Sequence, residues 1–196
     1  MAESTASMNG ESGHVAPGDD GGARHLVSGL ELPDITLASS RGGGVNLSKR
    51  KGGAIVYVYP WTGRPGVENP PGWDDIPGAH GSTPETEGFR DLYLRFRAQR
   101  MEVFGLSTQD SEHHREMASR LAVPFAFLSD DEFEMQKALG LPTFEAGGVR
   151  YLKRLTLLVR DGHIAHTFYP VADPARHAKE VIDWLDEKRR AFGSAG

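Results

Sequence analysis

A hydroxyl side chain stands at the start of a predicted helix, in a position that suits a nucleophile. In Ser82-Thr83-Pro84-Glu85, Thr83 is a good N-cap, Pro84 suits the first helical position and Glu85 suits the positive end of the helix dipole. The free amides of a first turn lower the pKa of a thiol placed there. Ser82 is not a thiol, however, and the 196-residue chain contains no cysteine. A serine hydroxyl is not ionised near neutral pH without a general base.

A histidine close to Ser82 raises the alternative of a serine hydrolase. His80 lies two residues before Ser82, and an imidazole is the usual activator of a serine hydroxyl. Residues so close in a loop rarely place Nε2 on Oγ, and no Gly-x-Ser-x-Gly elbow surrounds Ser82. Ser82 and Thr83 are also explained as helix caps with no catalytic role.

The remaining histidines do not suggest a metal site. His113 and His114 are neighbours that point about 100° apart on a helix. His163 and His166 differ by three positions in a predicted strand and therefore face opposite sides. We expect neither a metal nor a bound organic cofactor.

The elements that must position Ser82 alternate along the chain. Apolar runs predict strands over residues 32–37, 54–59, 101–107, 125–128, 154–159 and 163–168. Apolar stripes predict helices over residues 84–100, 111–121, 132–139 and 174–192. Asp161-Gly162 between the last two strands predicts a hairpin. Alternation with one hairpin favours an α/β fold, a thioredoxin-like three-layer sandwich with a mixed central sheet.

The composition bounds the class of protein. Net charge is −5 with no basic block, which disfavours nucleic-acid and membrane-surface partners. No apolar run approaches the roughly 20 residues that span a bilayer. The N-terminus lacks the apolar core of a signal peptide, so a cytoplasmic location is expected.

The domain organisation follows from the same composition. Residues 1–28 are rich in Gly, Ser and acidic residues and are predicted to form a disordered tail. Residues 29–192 form the predicted domain, and residues 193–196 form a short second tail. The irregular loop 61–81 is long for a compact domain, and Trp61 and Trp73 should anchor it.

Three segments together resemble one known family. Tyr59-Pro60 ends a strand, Gly81-Ser82-Thr83-Pro84-Glu85 continues to Gly88-Phe89-Arg90-Asp91, and residues 103–107 follow. This arrangement resembles the peroxiredoxins, and among them the peroxiredoxin Q or bacterioferritin-comigratory type. The resemblance covers roughly residues 30–185.

The resemblance implies a site and a reaction. Peroxiredoxins reduce hydroperoxides with a cysteine in the first turn of a helix, and that position matches Ser82. The activating arginine matches Arg154, the strand-end proline matches Pro60, and the resolving position five residues on matches Glu87. Thioredoxin or a small thiol would be the reductant, and the protein would be a monomer or homodimer.

The chain also departs from the family pattern. Ala79 stands where a Thr or Ser is usual, and Thr62 is the alternative source of that hydroxyl. We assign Ser82, Arg154 and Pro60 to the catalytic site, and Thr62, Thr83, Trp61 and His80 to substrate binding. An inward Arg154 among apolar strand residues needs a partner, which supports a place in the site.

Three functional interpretations stay open on sequence alone. Ser82 either replaces the cysteine of a thiol peroxidase, or belongs to a cysteine-free relative. In the second case the pocket serves small-molecule binding or non-redox acid–base chemistry, for example in specialised biosynthesis. Glu87 at the resolving position leans towards the second interpretation, because a protein that lost one thiol could have lost both. A non-catalytic interaction module is the third, and it predicts an exposed apolar patch.

Overall fold

The computed structural model describes residues 17–193, which form a seven-stranded mixed sheet with helices on its faces. The sheet order is β2-β1-β5-β4-β3-β8-β9, and β6 and β7 pair separately. The strands are β1 Thr36–Ser39, β2 Gly44–Asn46, β3 Gly53–Val58, β4 Met101–Ser107, β5 Ala126–Ser129, β6 Thr143–Ala146, β7 Val149–Leu152, β8 Leu155–Arg160 and β9 His163–Phe168. The helices are α1 Ser82–Asp91, α2 Tyr93–Ala98, α3 Ser111–Arg120, α4 Glu134–Leu139 and α5 Pro174–Gly193.

The central strands are buried on both faces, as the apolar run at residues 54–59 predicted. Strand β3 pairs in parallel with β4 and antiparallel with β8. Alternate residues serve different layers: Val56 and Val58 join the cluster under α4, whereas Ile55 and Tyr57 join the cluster under α1, α3 and α5. The predicted three-layer mixed sandwich is therefore confirmed.

The hairpin between β8 and β9 is also as predicted. Asp161 and Gly162 both have positive φ, 48° and 82°, which is the backbone of the two-residue turn that Asp-Gly favours. This hairpin places β9 at the sheet edge and leaves β8 between β3 and β9.

The predicted single helix over residues 84–100 is wrong in two respects. The helix begins at Ser82 after Gly81, so Thr83 is not the N-cap, and it is interrupted at Leu92. Helix α1 packs against α5, whereas α2 packs against β4. Because of the break, the apolar residues of the two helices can pack against different elements, and Phe89 of α1 and Phe96 of α2 are both fully buried.

The ordered domain begins earlier than the predicted boundary. Ala23 and Leu26, placed in the disordered tail by composition, are buried in the core beneath α4. The Thr167 hydroxyl donates to the Leu26 carbonyl at 2.8 Å, which ties this segment to β9. Residues 1–16 and 194–196 of the predicted tails lie outside the described residues.

The loop from Trp61 to Gly81 packs on the β6–β7 hairpin, which the sequence analysis missed. Trp73 begins a short 3₁₀ helix, Trp73–Asp75, and is buried. Its ring lies 5.4 Å from that of Trp61, 5.6 Å from Phe144 and 5.0 Å from Tyr151. This aromatic cluster anchors the loop in the way that the two tryptophans predicted. Within residues 17–193, no helix combines the length and apolar character needed to cross a membrane.

Candidate functional site around Ser82 and Arg154

Arg154 enters the interior because of its place in the alternation of β8. It directly precedes Leu155, the first residue of the strand, rather than lying within the strand as predicted. Residues two and four positions further on, Thr156 and Leu158, face the α1–α5 layer, and Arg154 shares their parity. The side chain is consequently directed towards α1 and is only 1% exposed.

Ser82 is fixed opposite Arg154 by a close contact between two helix starts. Gly81 precedes α1 with φ 100°, a backbone conformation that favours glycine. A β-carbon at Gly81 would lie 2.8 Å from Pro174, the first residue of α5, so only glycine fits there. The first helical hydrogen bond is donated by the Glu85 amide to the Gly81 carbonyl at 3.0 Å. The amides of Ser82 and Thr83 therefore have no partner within the helix.

One guanidinium connects the site. Arg154 Nη2 donates to Ser82 Oγ at 3.0 Å and to the His80 carbonyl at 3.1 Å. Arg154 Nη1 donates to Glu85 Oε2, and the two side chains form a fully buried ion pair. The guanidinium thus spans from the helix start to the acid one turn further along α1.

The ion pair determines the electrostatics of the site. Burial raises the pKa of Glu85, and the positive charge of Arg154 opposes that rise. Glu85 Oε1 and Arg154 Nε are buried without a hydrogen-bond partner. Taking both charges out of water is costly, and their mutual attraction offsets part of that cost.

Neighbouring polar groups are paired among themselves. Tyr57 donates to the Thr86 hydroxyl at 3.1 Å, and burial raises the pKa of Tyr57. The buried ring of His177 lies 2.9 Å from Thr156 Oγ1 and 3.0 Å from Glu180 Oε2. These groups support the wall of the site, and each already has a partner.

The structure brings Ser82, Arg154 and the His80 backbone together, but not the side chain of His80. His80 Nε2 lies 2.8 Å from Asp74 Oδ1, so the imidazole does not activate Ser82 and the hydrolase geometry is not formed. Pro60 is buried just beyond β3, as expected of a strand-end proline. Glu87, at the predicted resolving position, is partly exposed and lies 3.8 Å from Arg90.

Thr62 does not supply the missing hydroxyl. It is buried, but its Oγ1 lies 3.2 Å from Gln109 Oε1, 3.2 Å from His113 Nε2 and 2.9 Å from Met117 Sδ. These partners belong to α3 and to the loop before it. Trp61 packs on Trp73 in the aromatic cluster, and Thr83 is half-buried in the first turn of α1.

Sequence reasoning missed the residue that pairs with Arg154. Glu85 was assigned only to the helix dipole, whereas it is the most deeply buried acid of the site. The signal was available in the spacing: Glu85 lies three residues after Ser82 and four before Phe89, on the core-facing side of the helix.

A cavity of 270 Å³ adjoins the site on one side of Arg154. Pro17, Gly18 and Asp20 of the N-terminal segment form one wall, and Phe144, Lys153 and Tyr169 line the rest with residues 76–78. Asp20 accepts hydrogen bonds from Lys153 and Tyr169, which holds the segment in place. Arg154 is among the lining residues and Ser82 is not, and the Arg154 side chain is only 1% exposed.

Comparisons with known proteins identify the family. Residues 28–182 match the family model described as Redoxin, and the chain therefore belongs to that family. Peroxiredoxin Q, chloroplastic, of Oryza sativa subsp. japonica is 29% identical over 161 residues, which are 82% of this chain and 67% of the rice protein. The predicted resemblance to peroxiredoxins of the Q type is confirmed.

Solved structures show the same fold. The bacterioferritin comigratory protein of Xanthomonas campestris has a TM-score of 0.66 at 23% identity, covering 83% of this chain and 99% of that one. A cysteine-to-serine mutant of peroxiredoxin Q from Xylella fastidiosa has a TM-score of 0.68 at 22% identity, covering 84% and 98%. These likenesses concern the fold alone.

Proposed function

We propose that this chain is a peroxiredoxin-type protein that retains the hydroperoxide site but carries a hydroxyl, Ser82, in place of the reactive thiol. The observation that carries the proposal is the hydrogen bond of 3.0 Å from Arg154 to Ser82 Oγ at the start of α1. Membership of the Redoxin family and similarity to peroxiredoxin Q support it. As it stands, the chain does not turn over hydroperoxides through a thiol cycle.

The geometry suits a thiolate at position 82. Arg154 and the free amides of Ser82 and Thr83 would stabilise a sulfur anion there and polarise a bound peroxide. The thiolate would bond to one peroxide oxygen while the O–O bond breaks. The second oxygen leaves with the electron pair and takes a proton to become an alcohol or water. Two reductant thiols would then convert the sulfenic acid back to the thiol, giving water and a disulfide.

Ser82 itself lacks what a hydroxyl needs in order to react. Glu85 is committed to Arg154, His80 is paired with Asp74, and the ring of His177 is held by Thr156 and Glu180. None of these groups is positioned as a general base on Ser82 Oγ. The hydrogen bond that the Arg154 guanidinium donates to this oxygen occupies one of its lone pairs and makes the hydroxyl less nucleophilic.

The test places a cysteine at position 82 and compares its peroxidase rate with that of a cysteine at Ser111, the first residue of α3. Ser82→Cys should consume cumene hydroperoxide with dithiothreitol at least about 100-fold faster than Ser111→Cys, because one aligned charge donor is worth about that much in a transition state. Ser111 begins α3 as Ser82 begins α1, but the described structure places no guanidinium on its hydroxyl. The unaltered chain should show no enzymatic consumption.

Equal rates for the two cysteine variants would overturn the proposal, and so would turnover by the unaltered chain. The reductant class, thioredoxin or a small thiol, is compared in the same assay with Ser82→Cys. The monomeric or homodimeric state and the cytoplasmic location stay predictions.

The cavity beside Arg154 favours a second candidate, a pocket adapted to a small organic ligand. Its 270 Å³ is close to the lower end of ligand pockets and far exceeds the space for a single water-sized molecule. Lys153, paired with Asp20 of the same lining, gives it a polar wall, and Phe144 and Tyr169 give it aromatic surface. Calorimetric titration with benzoate, compared between the unaltered chain and Lys153→Met, tests this candidate. Equal heats in both, or none in either, would remove it.

A further inference from the structure

A second and larger cavity lies at the opposite end of β8 from the Ser82 site. Arg154 precedes β8 and Arg160 ends it, a separation of about 20 Å at the usual strand rise of about 3.4 Å per residue. The cavity near Arg160 has a volume of 660 Å³ and is bounded by β8, β9, the start of β4 and the second half of α5.

The floor of this cavity is apolar. Met101, Leu158, Trp184 and Leu185 line it, and the ring of Trp184 lies parallel to that of His166 at 4.5 Å. Burial and the nearby charge of Lys188 lower the pKa of His166, so the stacked imidazole is neutral around pH 7. The floor therefore offers a broad apolar and aromatic surface without a charge of its own.

The rim, in contrast, is uniformly basic. Arg160, Lys188 and Arg189 line the cavity, and no Asp or Glu does. Within the part of the chain that the structure describes, none of these three side chains has an ion-pair partner; Lys188 lies only over the ring of Trp184, at 5.3 Å. Two acids of α5 near this rim are already engaged, Asp186 by Arg95 and Gln99, and Glu180 by His177.

We propose that this cavity binds an organic carboxylate with a hydrocarbon body, of the size of a medium-chain fatty acid. The volume lies in the middle of the range for small-molecule pockets, and an apolar floor requires an apolar body. Three unpaired cations at the rim complement one carboxylate, whereas a bare phosphate would leave the floor in contact with water. The ligand lies away from Ser82, so this inference does not depend on the peroxidase assignment.

The probes are decanoate, decanol and decyltrimethylammonium, each kept below its micelle concentration. The chain has three tryptophans, and of these only Trp184 lines the cavity, so its labelled indole N–H resonance reports binding while Trp61 and Trp73 serve as internal references. Decanoate should shift the Trp184 signal with a dissociation constant at least about 10-fold lower than that of decanol, as three partly exposed charge contacts allow. Decyltrimethylammonium should bind more weakly than decanol.

The variants isolate the rim. Arg160→Gln/Lys188→Gln/Arg189→Gln should weaken decanoate binding about 10-fold and leave decanol unaffected. The control Arg24→Gln/Arg115→Gln/Lys137→Gln removes the same number of exposed cations elsewhere and should change neither. No shift of Trp184 with decanoate, equal affinity for decanoate and decanol, or an equal loss in both triple variants would each overturn the proposal.

Discussion

Helices α1 and α3 have similar first residues, but α3 is capped by the preceding side chain whereas α1 is stabilised by a residue distant in sequence. Helices α1 and α3 each have ten residues, each begins with a serine, and each follows one of the adjacent parallel strands β3 and β4. Asp110 caps α3 by accepting a hydrogen bond from the His113 amide at 2.8 Å. Gly81 precedes α1 and offers no side-chain cap.

The acids at the two helix starts respond in opposite directions. The hydrogen bond from the His113 amide lowers the pKa of Asp110, whereas burial raises the pKa of Glu85. Helix α3 is therefore stabilised by its own sequence neighbours, and its first amides are used. Helix α1 is stabilised by a guanidinium 69 residues further on, which leaves the amides at Ser82 and Thr83 free for a ligand.

The largest effect should come from removing that guanidinium. Arg154→Met leaves the Glu85 carboxylate buried and unpaired, which should lower the free energy of unfolding by about 3–5 kcal/mol in urea titrations. Arg95→Met breaks the exposed pair with Asp186 and should cost less than about 1 kcal/mol. The double variant Glu85→Gln/Arg154→Met should recover part of the loss. If Arg154→Met lowered the free energy of unfolding no more than Arg95→Met, the buried Arg154–Glu85 pair would not be what stabilises the start of α1.

Exchanging the two cap residues should lower the stability by less than Arg154→Met does, and by more at Gly81 than at Asp110. Gly81→Asp places a side chain at φ 100° and 2.8 Å from Pro174, and we expect a cost of about 2–3 kcal/mol from strain and overpacking. Asp110→Gly should cost only a few tenths of a kcal/mol. Thermal unfolding of both variants measures the difference. If both variants lost the same stability, the two starts would be equivalent and the comparison would fail.

The smallest effect concerns the cap of α3 and its dependence on pH. Asp110→Ala should cost about 1 kcal/mol at pH 7. Because the folded-state pKa of Asp110 is lowered, its contribution is complete above the unfolded value of about 3.9 and is lost as the pH falls through the folded value. Urea titrations at pH 7 and pH 3 should therefore show the difference shrinking. Asp110→Asn removes the same titrating group but keeps an acceptor oxygen, so its loss at pH 7 should be smaller while its difference from the unaltered chain changes with pH by the same amount. A loss for Asp110→Ala that stays constant between pH 7 and pH 3 would refute the assignment.

Much of the fold was predictable because its signals are local. The apolar run at residues 54–59 predicted a strand buried on both faces, and Asp161-Gly162 predicted the hairpin that places β8 beside β9. Residue parity along β8 then directs Arg154 towards the helical layer. The pairing of Ser82 with Arg154 was reached through family resemblance, and the structure brings the two side chains together.

Other features were not predictable from local pattern. The hairpin of β6 and β7 is short and gains its stability from the aromatic cluster around Trp73, which lies far away in sequence. Ala23 and Leu26 were hidden in a polar, glycine-rich segment whose few apolar residues find a place only against an assembled core. The break at Leu92 separates α1, which packs against α5, from α2, which packs against β4, and no proline lies between Glu85 and Arg100 to signal it.

The sequence by itself determined strands β3, β4, β5, β8 and β9, the hairpin turn, the helical stripes and the absence of a thiol, because each depends on residue types and short spacings. It placed the first strand at 32–37, whereas β1 is Thr36–Ser39, and it did not predict β2, β6 or β7. Tertiary structure alone decided that Glu85 is the partner of Arg154 and that His80 and Thr62 turn away from Ser82. A buried polar or charged group must pair with a group that the packed layers bring within hydrogen-bond distance. Those partners lie on elements distant in sequence, and side-chain periodicity within one element does not predict which they are.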